Sequence, residues 1–244
     1  MSETYKDVEN IEDFETWRRY GYSNFRWVFN KLELAVRQGL KAGPSATAPD
    51  KSGSYIIRPI YNLYGMGLGA QKFDYDLTEH KGAMLNGEIV PPGYFWCEWL
   101  AGNQISVDYR RSVDRGNSWV ASSIMQGFHK SDKDLTRFAF WEKLNVDEAP
   151  PVESFIVKPE FLNESSFTGF NVEFRGGVMT EIHLRLGNDY FDDLPVGSKV
   201  YPFWEGSDEP KGEWRDNPPS VIDLSSNDKL SGKRLGFKIQ RPEY

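Results

Sequence analysis

Glu181-Ile182-His183-Leu184-Arg185-Leu186-Gly187 sets a carboxylate, an imidazole and a guanidinium on alternate residues. Alternate side chains of an extended strand point to one face, so the spacing predicts Glu181, His183 and Arg185 side by side. Such a row would bring metal ligands and an anion clamp to one place. Just upstream, the tight-turn sequence Arg175-Gly176-Gly177 folds Asn171-Val172-Glu173 back on Met179-Thr180-Glu181. Residues 171 and 173 then share a face, as do 181 and 183, and the hairpin sets the two pairs together. Like carboxylates held so close repel unless a cation compensates them. That cation is either a divalent ion, for which carboxylate oxygens favour Mg²⁺, or Arg175 and Arg185 on a solvated face. The residues alone leave both readings open.

Working outward, Phe25, Val28, Phe29, Leu32, Ala35 and Val36 follow the three-and-four rhythm of a helix packed on one side. Gly39 and Gly43-Pro44 end it. Tyr55 to Ile60 then reads as a strand, followed by the glycine loop Tyr64-Gly65-Met66-Gly67-Leu68-Gly69-Ala70. Glycines at 65, 67 and 69 let backbone N–H groups approach an anion, although unliganded glycine-rich hairpin loops are common. The loop lacks the Gly-Lys-Ser/Thr ending of a P-loop. Arg58, a charge inside an apolar run just ahead of the loop, is placed to reach the same anion with a forked pair of hydrogen bonds.

Pro91-Pro92-Gly93 precedes the apolar Tyr94-Phe95-Trp96-Cys97-Glu98-Trp99-Leu100, and Gly102-Asn103 turns it into the alternating Ile105 to Tyr109. This predicts a hairpin-like pair. Trp119 to Met125 reads as a strand, Lys133 to Leu144 as a helix, and Phe155 to Val157 and Phe167 to Phe174 as further strands. After Asp193 the chain is rich in Pro, Gly, Ser and charge, with short apolar islands at Val200 to Trp204 and Leu235 to Ile239, and it reads as an irregular layer attached to the domain. Trp96 and Trp99 read as core, with Trp99 also placed to border a flat ligand. His80 and His129 read as surface or satisfied core residues.

Composition limits the function. The chain has 244 residues, 39% of them hydrophobic, which is enough for a real core. A formal charge of −7 argues against general nucleic-acid binding, which needs clustered Lys and Arg. One cysteine, Cys97, excludes an internal disulfide, and with no basic-then-apolar N-terminus the expected compartment is the cytoplasm. No apolar segment approaches the ~20 residues of a membrane span, so no membrane partner is expected.

Taken in order, the elements resemble the ATP-grasp superfamily, whose members include carboxylate-amine ligases. Asn30-Lys31-Leu32 resembles a segment whose lysine contacts ATP phosphates, and Ile56-Ile57-Arg58-Pro59 a strand in which Arg58 replaces a second phosphate-binding lysine. Gly65, Gly67 and Gly69 stand in the place of the loop that covers the phosphates. Glu98, Trp99 and Leu100 resemble the linker that embraces adenine, and Gln104 stands where a ribose-binding glutamate is common. Glu181-x-His183-x-Arg185-x-Gly187 resembles a motif in which an acid and an amide bind magnesium and the arginine meets an acyl phosphate; here His183 replaces the amide, which favours Mn²⁺ or a one-metal site.

The resemblance implies an α+β fold of two β-rich subdomains enclosing a nucleotide. The expected divisions are a helical segment at 1–50, a small glycine-loop subdomain at 51–98, a larger metal-binding subdomain at 99–193 and the extension at 194–244. The cofactors implied are ATP and Mg²⁺ or Mn²⁺. Lys31, Arg58, the three loop glycines, Glu98, Trp99, Leu100 and Gln104 would bind nucleotide. Glu173, Glu181, His183 and Asn171 would supply metal ligands, with either Asn171 or Glu173 first, and Lys31 and Arg185 would serve catalysis. The activity implied is joining a small-molecule carboxylate to an amine through an acyl phosphate; the alternative is a catalytically reduced module that binds nucleotide or protein. Only about thirty residues precede Lys31, so the family's N-terminal substrate domain is expected to be absent and to come from a partner chain.

Overall fold

The computed structural model describes residues 16–18, 25–61, 69–112, 114, 118–131, 134–150, 169–187, 191–216 and 234–243. Gly65, Gly67 and the strand expected at Phe155 to Val157 lie outside them. The chain forms two antiparallel sheets, one of four strands and one of eight.

The small sheet contains β1 (Ala42–Pro44), β2 (Gly53–Pro59), β3 (Gln71–Tyr75) and β4 (Tyr94–Glu98) in the order β1-β4-β2-β3. The run Tyr94 to Glu98 is apolar because β4 is central, between β1 and β2, with Phe95, Trp96 and Cys97 buried. It does not pair with residues 105–109 as expected. The chain leaves the small sheet at Glu98, turns at Gly102 (φ 110°) and enters the large sheet at Gln104. Helix α1 (Lys31–Arg37) lies beside β4, and α2 (Leu77–Leu85) starts at Asp76, whose carboxylate accepts the Thr78 and Glu79 amide hydrogens.

The single helix expected from Phe25 is broken. A 3₁₀ turn covers Arg26–Phe29, and the extended Asn30 (ψ 97°) caps a new helix by accepting the Glu33 amide hydrogen at 2.9 Å. This break resets the helical phase, which leaves Val36 55% exposed although the spacing put it inward.

The large sheet contains β5 (Gln104–Ser112), β6 (Ser118–Ser131), β7 (Asp134–Lys143), β8 (Gly169–Arg175), β9 (Val178–His183), β10 (Lys199–Trp204), β11 (Glu213–Asp216) and β12 (Arg234–Gln240). Their order is β11-β12-β10-β7-β6-β5-β8-β9. Residues 134–143 are thus a strand where a helix was expected. Aromatic residues at 138, 140 and 141 suit a pleated surface, and pairing along β6 overrides the helical spacing. The C-terminal stretch is also more regular than its composition suggests, since its apolar islands are β10 and β12, paired through six positions.

The two faces of this sheet differ. On one, Val107, Ile124, Phe170, Val172, Phe174 and Ile182 bury against Trp27, Val28, Phe29 and Leu34, each contributing about 1.5–3 kcal/mol. The other carries Gln104, Ser106, Asp108, Asn171, Glu173, Glu181 and His183, where Ser106 and Asp108 stand opposite Glu173 and Asn171, and these opposite Glu181 and His183. Strand β9 is a sheet edge, and Gln38 at the end of α1 closes part of it. The Gln38 amide accepts from Met179 N–H at 2.9 Å and donates to Met179 O at 2.8 Å, imitating one ladder pair. Among the described residues no helix is long and apolar enough to cross a membrane.

Candidate functional site

The hairpin of β8 and β9 forms as the sequence predicts. Gly176 and Gly177 have φ of 58° and 83°, and a Cβ on Gly176 would strike the Ala101 carbonyl. A bulge between Glu173 and Phe174 then sets Glu173 opposite Glu181 and Asn171 opposite His183. His183 Nε2 lies 3.7 Å from Glu173 Oε1 and 3.6 Å from Glu181 Oε2.

Two cations reach this edge, Lys31 from α1 and Arg58 from the small sheet. Lys31 opens α1, and its N–H donates to the Ile60 carbonyl just past the end of β2, so the helix start and the Arg58 strand are tied together. Lys31 Nζ lies 2.5 Å from Glu181 Oε1, and Arg58 Nη1 lies 3.7 Å from the same oxygen. Arg58 also donates through Nη2 to the Thr180 carbonyl and lies over the Phe95 ring at 5.6 Å. Burial alone would raise the Glu181 pKa, but Lys31, Arg58 and His183 outweigh it and hold the carboxyl below its ordinary value. Lys31 is 6% exposed, and burial lowers its pKa against the attraction of Glu181.

Several expected site residues sit differently. Asn171 is on the expected face, but its amide donates to Ser106 Oγ at 2.8 Å and Asp108 Oδ1 at 2.7 Å, away from His183. Strand β9 ends at His183, and Arg185, buried just beyond it, donates to the Leu186 carbonyl at 3.0 Å. Glu98 accepts the Lys41 amide hydrogen at 2.8 Å, and the Leu100 carbonyl accepts Arg175 Nε at 2.9 Å. The Trp99 ring lies against two cations, with Arg175 at 4.4 Å and Lys72 at 4.9 Å. Gln104 donates to Glu173 Oε2 at 3.1 Å, which brings the expected ribose position into the acidic hairpin. Gly69 has φ 77°, and a Cβ there would fall 2.7 Å from the Tyr94 hydroxyl oxygen. His80 accepts the Asp76 N–H, and burial pushes the Cys97 thiol up to about 11, so neither suggests catalysis.

The carboxylates Glu173 and Glu181 are hard oxygen donors of the kind Mg²⁺ takes. Among the described residues, however, no three His, Cys, Asp or Glu side chains are grouped to hold a metal ion. The repulsion that a metal would relieve is instead relieved by Lys31 and Arg58. Asp108 is the buried acid that sequence spacing does not single out. It stands on β5, remote in sequence from the hairpin, and only the register of β5 with β8 brings it beside Asn171.

No protein-family model and no curated protein sequence matches this chain. Solved structures do. The N5-carboxyaminoimidazole synthetase from Staphylococcus aureus complexed with ADP superposes at TM-score 0.57 and 12% identity, over 97% of this chain and 75% of that one. The carboxyaminoimidazole ribonucleotide synthase from Aspergillus clavatus complexed with ATP gives TM-score 0.53 at 10% identity, covering 97% and 76%. The N5-carboxyaminoimidazole ribonucleotide synthetase from Thermus thermophilus gives 0.52 at 13%, again covering 97% and 76%. At such identities the likeness is one of fold.

Proposed function

We propose, proceeding from the ATP-grasp fold of this chain, that it is an ATP-dependent ligase that joins a carboxylate to an amine through an acyl phosphate. The observation that carries the reading is the meeting of Lys31 from α1 and Arg58 from the small sheet with Glu181, Glu173 and His183 from the large one. Phosphoryl transfer requires mainly positioned charge, and this seam concentrates both signs. Lys31, Arg58 and the amides of the 65–69 loop would neutralise the phosphates. Glu173 and Glu181 would hold Mg²⁺, which would supply positive charge to the phosphates. A substrate carboxylate oxygen would attack the γ-phosphorus and release ADP, and the amine would then displace phosphate from the acyl carbon. Arg185 would stabilise the acyl phosphate. That neighbours of the same fold were solved with ADP and ATP supports the nucleotide part of the reading.

The test is a thermal shift with ATP, with and without Mg²⁺, followed by ADP release with a panel of small carboxylates and amines. A shift of several degrees that requires Mg²⁺ in the wild type and is lost in Lys31→Met is expected. No shift under either condition sinks nucleotide binding, and a Glu181→Gln variant with unchanged Mg²⁺ dependence sinks the metal role of Glu181.

A further inference from the structure

The polar face of the large sheet continues beyond the seam. Asp108 Oδ1 accepts both the Asn171 amide and the Gly187 N–H at 2.7 Å, whereas Oδ2 accepts no hydrogen bond among the described residues. On the neighbouring strand Ser123 stands opposite Asp108 in register. Lys143, opposite Met125 on β7, reaches diagonally to Ser123 Oγ at 2.6 Å, the one hydrogen bond its ammonium makes among the described residues. Two of its N–H groups remain available. Ser198, whose carbonyl accepts the Lys143 amide hydrogen at 2.9 Å, has a fully buried hydroxyl with no hydrogen-bond partner.

An acid and a base are therefore held on one face, one hydroxyl apart, without forming an ion pair with each other. Asp108 is 9% exposed and Lys143 5%, and charged side chains so buried are ordinarily paired. Neither group has an ion-pair partner among the described residues, so each charge is open to further compensation. A ligand bearing both signs would supply it at both ends.

We propose that Asp108, Lys143 and Ser198 form a zwitterion subsite beside the nucleotide seam. Asp108 Oδ2 takes the ammonium of a small substrate, and Lys143 Nζ with the Ser198 hydroxyl takes its compact oxyanion, a carboxylate or a phosphate. The assignment rests on the ligase reading, in which the amine end is the attacking group. Adjacent strands are ~4.8 Å apart, so the two ends are separated by a few methylenes.

Isothermal titration of the full chain with γ-aminobutyrate and with phosphoethanolamine tests this, with n-butylamine and butyrate as single-charge controls. At least one zwitterion binds tenfold or more tightly than either control, and the better of the two identifies the oxyanion. Lys143→Gln and the near-isosteric Asp108→Asn each weaken that binding about tenfold, equivalent to ~1.4 kcal/mol. Should either fail to fold, Ser198→Ala is the milder variant, with about threefold weaker binding expected. No binding of either zwitterion, equal binding of the controls, or wild-type affinity in the folded variants overturns the subsite. The MgATP shift is measured in parallel and is unchanged in Lys143→Gln. ATP binding without zwitterion binding refutes the subsite alone, and zwitterion binding without ATP binding refutes the ligase reading while upholding the subsite.

Discussion

Glu181 is the residue on which both sheets converge. Its side chain is 13% exposed and is compensated by Lys31 and Arg58. Removing one partner of a buried pair leaves the other charge stranded, so Glu181→Gln should lower stability by about 3 kcal/mol at neutral pH, read by urea unfolding. The pH dependence has a definite sign. The folded carboxyl lies below the ordinary value of 4.5, so the unfolded chain binds the proton first as the solution is acidified. Its contribution is fully present above pH 4.5 and is lost as pH falls from there through the lower folded value. Glu181→Gln should therefore flatten the stability profile below pH 4.5, and a variant with the wild-type slope would show that other carboxylates govern acid unfolding. The pairing of Glu173 with Glu181 was legible in the sequence, because a two-glycine turn and a two-residue period suffice to align them. The Lys31 partner was not legible from spacing, since 150 residues separate it from Glu181; the resemblance marked Lys31 only as a phosphate contact.

At the scale of elements, Gln38 at the end of α1 ties the helix to the edge of the large sheet, beside the Lys31–Glu181 pair and the packing of Leu34. One side-chain amide satisfies both backbone groups of Met179, which on an open edge would face water or another chain. Gln38→Ala deletes both bonds and leaves those groups half-buried, which should cost about 1–3 kcal/mol. Because Lys31 is on the same helix, MgATP binding should weaken along with stability. Hydrogen exchange at Met179 N–H checks the cause, and unchanged protection there would mean that other contacts hold the helix. The elements that sequence reading misplaced share a physical origin. The helical spacing from Phe25 is real but is broken by the extended Asn30, and residues 134–143 became a strand because β6 offered a partner along their whole length. In both cases local pattern yielded to a backbone event or pairing with another segment.

Across the whole molecule, the polar face and the C-terminal strands form one continuous sheet. Met125 belongs to the same packed cluster as Val200, Phe237 and Ile239, and Met125 on β6 is in register with Ser106 on β5, next to the acidic hairpin. The C-terminal stretch therefore supports the site through the sheet, which its low apolar content concealed because a strand pair needs only a short alternating island. Phe237 is 1% exposed, and truncating such a ring typically costs about 3–5 kcal/mol. Two outcomes are distinguishable for Phe237→Ala. If β10–β12 are integral to the sheet, unfolding followed by tryptophan fluorescence and by far-UV circular dichroism stays coincident and shifts down as one transition, and the MgATP-stabilised form shifts with it. If those strands were an appended layer, an early partial transition would separate from a main transition at the wild-type temperature. The continuous strand pairing from β12 through β10, β7 and β6 to β5 argues for the first. On that argument Phe237, remote from every charged group of the seam, controls how long the seam survives heating.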